Sequence, residues 1–126
     1  MTWLIETSIL VDLLRGWLPA RHWIDGLSSD DRYISVVTAA ELLAGCRNRD
    51  EQRTVEREIA LYPILWLDET SSQTALDWYR QFRLSHGLGF LDSLIGATAY
   101  HHDLTLATMN EKHFTPLPGL RVERPY

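Results

Sequence analysis

Met1-Thr2-Trp3-Leu4-Ile5-Glu6-Thr7-Ser8-Ile9-Leu10-Val11-Asp12-Leu13-Leu14-Arg15-Gly16 changes its hydrophobic period part-way along, and the rest of the chain repeats that change. Met1 to Glu6 begins as a short apolar run and ends in a carboxylate, which suits a buried strand. Thr7 to Arg15 reads as a helix, with Ile9, Leu10, Leu13 and Leu14 on one face and Gly16 as the stop. Tyr33 to Val37 is a second, β-branched strand, followed by a helix over Ala39 to Arg47. Pro63 precedes a third apolar strand, Ile64 to Leu67. Leu104 to Ala107 is a fourth, and Leu120 to Val122 a short fifth. Between them lie a helix opened by Pro19 toward Leu27, a turn over Ser28 to Asp31 and a charged helix from Asp50 to Leu61. Two further helices, Ser71 to Leu84 and Leu91 to His102, are divided by Ser85-His86-Gly87-Leu88-Gly89.

Short buried strands alternating with helices imply an α/β fold, a parallel sheet covered on both faces. In such folds the working site lies at the carboxyl ends of the strands, near the point where strand order reverses. The 126 residues suit a single domain with one real core. Apolar stretches such as Ser93 to Tyr100 are too short for a membrane helix, and the N-terminus lacks the order of a signal peptide. A lone cysteine, Cys46, excludes an internal disulfide and a cysteine zinc cluster. The cytoplasm is therefore the expected location.

Four residues stand where that rule directs attention. Glu6 ends the first strand, Glu41 sits one turn into the helix after the second, Asp92 opens the helix after the glycine-containing loop, and Asn110 lies just beyond the fourth strand. Converging carboxylates repel unless positive charge lies between them. Hard oxygen ligands of this kind suit Mg²⁺ or Mn²⁺, which leave coordination positions open for a substrate phosphate. Each residue also has a plainer role. Thr38-Ala39-Ala40-Glu41 fits a capping box, Asp92 favours a helix dipole, and Asn110 fits a turn. Glu6 is harder to explain away, because a carboxylate beside a buried strand end needs a partner. The net charge of −5 opposes nucleic-acid binding at first sight, yet three acids sharing one cation would account for more than half of it. Of the 12 basic residues only Lys112 is lysine, and arginine forks suit phosphate.

These stretches resemble a known family. Leu4-Ile5-Glu6-Thr7-Ser8-Ile9-Leu10 resembles the opening of PIN domains, where aspartate usually occupies the position of Glu6. Ile34-Ser35-Val36-Val37-Thr38-Ala39-Ala40-Glu41-Leu42 resembles the second motif of VapC-type toxins, and Phe90-Leu91-Asp92-Ser93-Leu94-Ile95-Gly96-Ala97-Thr98-Ala99 the third. Leu106-Ala107-Thr108-Met109-Asn110-Glu111-Lys112-His113-Phe114 and Pro118-Gly119-Leu120 resemble the family's C-terminal signature. The resemblance covers nearly the whole chain. It implies one PIN domain over residues 1–126, a three-layer α/β/α sandwich with a central parallel sheet of four to five short strands. It implies a Mg²⁺- or Mn²⁺-dependent endoribonuclease cutting structured RNA, tRNA or rRNA. A homodimer and a VapB-type antitoxin that blocks the site are implied with it. Carried over by position, Glu6 and Asp92 are the main metal ligands and Glu41 completes the acidic site. Asn110 fills the place of a fourth acid, and Thr7, Ser8, Thr108 and Lys112 are expected beside the substrate.

Glutamate at position 6 keeps the charge but adds a methylene, so the resemblance also predicts weak cleavage. Two rival readings remain at this point: a catalytically inactive PIN-like binding domain, and a phosphoacceptor receiver domain built on Asp68 and Lys112. His101 and His102, adjacent near a helix end, make a poor metal pair.

Overall fold

In the computed structural model, which describes all of Met1–Tyr126, every apolar run read as a strand pairs into one sheet. The strands are β1 (Trp3–Ile5), β2 (Arg32–Ser35), β3 (Ile64–Leu65), β4 (Thr105–Ala107) and β5 (Val122–Glu123). All pairings are parallel, and the order across the sheet is β3-β2-β1-β4-β5. Parallel neighbours need crossovers, and six helices supply those leading up to β4: α1 (Thr7–Leu14), α2 (Leu18–Asp25), α3 (Val36–Ala44), α4 (Arg49–Ile59), α5 (Glu69–His86) and α6 (Phe90–His101).

Alternation along β1 explains the three layers. Trp3 and Ile5 join one apolar cluster with Ile9, Leu10, Ile24, Leu42, Val55 and Ile59 from α1 to α4. Leu4 points the other way, into a second cluster with Ala75, Trp78, Leu94, Ile95 and Leu106. Both faces of the sheet are thus covered, as its run-on hydrophobicity predicts. Trp3 and Trp78 lie in the core, while Trp17 and Trp66 stand exposed. No helix is long and apolar enough to cross a membrane.

The structure corrects three readings. Helix α3 starts at Val36, three residues before Ala39, because the Ser35 hydroxyl accepts from the Val37 N–H at 3.0 Å and caps it there. Val37 and Thr38 are buried on that helix, and packing outweighs the low helix propensity of β-branched residues. Thr38 is therefore inside the helix, and the capping-box explanation of Glu41 fails. The receiver reading fails too. Here β1 is flanked by β2 and β4, whereas the receiver-type order places the third strand beside the first. Asp68 is the N-cap of α5, its Oδ1 accepting from the Ser71 N–H at 2.7 Å. His102 is bound locally, with Nδ1 2.9 Å from the Thr98 carbonyl oxygen, and His101 Nε2 lies 2.7 Å from the Thr74 hydroxyl.

Candidate active site

The chain leaves β1 leftward to β2 and β3, then crosses to β4, so strand order reverses between β1 and β4. Glu6 stands at the carboxyl end of β1 on that seam and is only 5% exposed. Burying an ionised carboxylate requires hydrogen bonds, and three are present. Oε2 accepts from the Ser8 N–H at 3.2 Å, which makes Glu6 the N-cap of α1. Oε1 accepts from the Ser8 hydroxyl at 2.6 Å and from the Thr108 hydroxyl. Those hydroxyls are themselves anchored: Ser8 Oγ accepts from the Met109 N–H, and Thr108 Oγ1 from the Asn110 N–H, both at 3.0 Å. Ser8 and Thr108 thus tie the β1–α1 turn to the segment leaving β4, with Glu6 between them.

Glu41 projects from the second turn of α3, half-buried. The Thr7 hydroxyl lies 2.8 Å from Glu41 Oε1 and 3.0 Å from Thr38 Oγ1. Asp92 comes from the first turn of α6, and its side chain is 28% exposed. Burial pushes the Asp92 carboxyl above the usual carboxylate range, and the negative charges of Glu6 and then Glu41 push it the same way. Opposing them is His113, whose Nδ1 lies 3.4 Å from Asp92 Oδ2. The three acids, remote in sequence, therefore share one electrostatic environment. No three side chains of Asp, Glu, His or Cys surround a single point closely enough to form a ready-made metal cage.

The other expected residues divide. Thr7, Ser8 and Thr108 are in the site, but their hydroxyls are turned to carboxylates rather than to open space. Asn110 and Lys112 are exposed, at and just inside the start of a short 3₁₀ turn over Glu111–His113, and the Asn110 side chain makes no capping bond there. The sequence sets His113 just beyond the fourth strand near the cleft, where it could touch phosphate; the structure turns its Nδ1 toward Asp92.

Residues 3–117 match the PIN domain family, spanning most of the fold just described. The chain is a VapC-type PIN domain. It is 40% identical over 120 residues to Ribonuclease VapC10 of Mycobacterium tuberculosis, covering 94% of this chain and 90% of that protein. Among solved structures, FitAcB from Neisseria gonorrhoeae matches with a TM-score of 0.80 at 28% identity over 98% of each chain. A toxin–antitoxin complex from Klebsiella pneumoniae matches with a TM-score of 0.82 at 25% identity, over 100% of this chain and 98% of that one. Beside the acids, the PIN domain carries a groove of about 570 Å³ between α1, α3 and α4. Val11, Leu14, Leu42 and Val55 line it together with Arg15 and Arg47, and Glu41 borders it.

Proposed function

We propose that this PIN domain is a divalent-metal-dependent endoribonuclease, the toxin of a type II toxin–antitoxin pair, acting in the cytoplasm on structured RNA such as tRNA or rRNA. One observation carries the reading. A half-buried Asp92 is crowded by Glu6 and Glu41 at the strand-order reversal, with only a mostly exposed histidine to offset them. Such a pocket has an unmet demand for positive charge. Its carboxylates are hard oxygen donors, which fits Mg²⁺ or Mn²⁺, and Mg²⁺ commonly takes only one or two protein carboxylates and completes its shell with waters and phosphate. Asp92 and Glu41 would hold the ion, with Glu6 behind them and Asn110 at the rim. When bound, such a cation neutralises charge developing on the scissile phosphate.

The chain's own groups do the rest. Ser8 and Thr108 hold Glu6 in one orientation, and α3 and α6 carry Glu41 and Asp92 near enough for the Glu41 charge to act on Asp92. Exposed Lys112 and His113, the latter 3.4 Å from Asp92, would meet a phosphate backbone entering the site. Water attacks phosphorus in line and the 3′ oxygen departs, leaving a 5′-phosphate and a 3′-hydroxyl.

Position 6 tempers the rate. Both Glu6 oxygens already accept hydrogen bonds within the chain, so fewer lone pairs remain for an ion. A reacting group misplaced by about 1 Å can cost on the order of 10²-fold. Glu6→Asp is expected to cut RNA faster than the natural chain, and equal rates would refute attenuation.

A VapB-type antitoxin would lay its chain in the α1–α3–α4 groove. Apolar side chains can seat in such a groove, Arg15 can meet an acidic residue, and Glu41 would be covered. The likeness to a toxin–antitoxin complex supports such a partner, and the family resemblance implies a homodimer. The deciding experiment is incubation with total RNA and Mn²⁺, followed by mapping of the cut ends. Cleavage that disappears with chelator and with Asp92→Asn is expected. Cleavage that persists in Asp92→Asn overturns the site. An absence of cutting even in Glu6→Asp supports the inactive binding domain instead.

A further inference from the structure

Thr7 was expected beside the substrate, and its hydroxyl instead faces two side chains of α3. Its Oγ1 is 2.8 Å from Glu41 Oε1 and 3.0 Å from Thr38 Oγ1. A threonine hydroxyl has one hydrogen, so Thr7 cannot donate to both. An ionised carboxylate can only accept, and a charge-assisted bond is the shorter and stronger of the pair. The Thr7 hydrogen therefore favours Glu41 Oε1, the charged and nearer acceptor, with the Thr38 hydroxyl oxygen as a second acceptor beside it. Thr38 is fully buried at 0% exposure, so Thr7 is packed between a fixed hydroxyl and the carboxylate.

From this order of acceptors we infer that Thr7 is a positioning residue, with Thr38 behind it, that fixes the Glu41 carboxylate for the cation. Glu41 is half-buried on the helix surface, and the bond from Thr7 is the hydrogen bond that its carboxylate accepts. Without it the side chain regains rotamer freedom that ion binding must then remove. The device is built across the fold: Thr7 opens α1 beside Glu6, so the turn that caps one carboxylate also orients another. A loss of such a supporting partner typically lowers metal affinity about 10- to 100-fold.

The inference rests on the metal-dependent reading above, and Mn²⁺ binding measured by calorimetry on the intact chain without RNA tests it. Thr7→Val is expected to bind Mn²⁺ about 10- to 100-fold more weakly, with Thr7→Ser restoring most of the affinity. In a Glu41→Gln background, Thr7→Val should change affinity less than about 2-fold, because the group it acts through is gone. If Thr7→Val fails to fold for want of a partner to Thr38, the Thr7→Val/Thr38→Val pair removes the stranded hydroxyl and is expected to show the same weakened binding. Undiminished Mn²⁺ affinity in these variants, or effects that multiply with Glu41→Gln, would overturn it. So would a raised KM for RNA at unchanged Mn²⁺ affinity, which marks Thr7 as a substrate contact. A natural chain that binds no Mn²⁺ sinks the metal reading and this inference together. One that binds Mn²⁺ and cuts RNA while Thr7→Val matches it sinks this inference alone.

Discussion

At Asp92, burial raises the carboxyl's pKa, the charges of Glu6 and Glu41 add to the rise, and His113 pulls against them. A carboxyl raised on folding stabilises the fold while protonated, and that contribution is lost as pH climbs through its folded value. The metal-free protein is therefore strained at neutral pH by the group its chemistry requires. Asp92→Asn removes the charge and keeps the shape. It is expected to raise the Tm of the metal-free protein at pH 7, by a few degrees for each kcal/mol relieved. The advantage should shrink below about pH 4, where the unfolded aspartate is protonated as well. Thermal melts across pH in chelator check this, and a lower Tm for Asp92→Asn at pH 7 would contradict it. The same substitution is expected to abolish cleavage, so stability and activity move in opposite directions.

Where α6 meets the C-terminal segment, the close approach depends on one missing side chain. A Cβ at Gly96 would stand 2.7 Å from Leu117 Cδ1, 3.4 Å from Leu120 Cδ2 and 3.6 Å from Trp78 Cζ3. Helix α6 presents Asp92 at its first turn, so its seating against α5 and the C-terminal segment governs the site. Gly96→Val overpacks this contact and is expected to cost about 1–3 kcal/mol, read as a lower urea midpoint at unchanged m-value. A polar tie secures the other layer. Glu58 on α4, 8% exposed, accepts from Arg21 of α2 and from the Tyr62 hydroxyl, both at 2.8 Å. Arg21 is 36% exposed, so solvent weakens the pair. Glu58→Ala is expected to destabilise by about 2 kcal/mol in the same urea assay, and no loss would show the pair to be idle.

Across the whole molecule the net charge of −5 is unevenly placed, with three of its acids meeting at one seam of the sheet. A cation that binds only the folded chain stabilises it by about 2.7 kcal/mol at a free concentration of 100 Kd. Mn²⁺ is accordingly expected to raise the Tm of the natural chain and to leave Asp92→Asn nearly unmoved. Equal shifts in both would place the ion elsewhere.

Local pattern determined much of this protein. Apolar runs of strand length, separated by amphipathic helices, imply a covered parallel sheet, and the carboxylates after those runs pointed to its carboxyl edge. Side-chain alternation and helical periodicity are short-range properties, legible from a few neighbouring residues. Strand order decided the rest, because β1 could be flanked by different strands without changing any local pattern. Only the placing of β4 beside β1 brings Thr108 onto Glu6 and Met109 onto Ser8. Likewise, Thr38 looked like a helix cap until Ser35 took that place and packing turned Thr38 toward Thr7. Partners about 30 to 100 residues apart are chosen by loop closure and packing across the sheet, which no local stretch encodes.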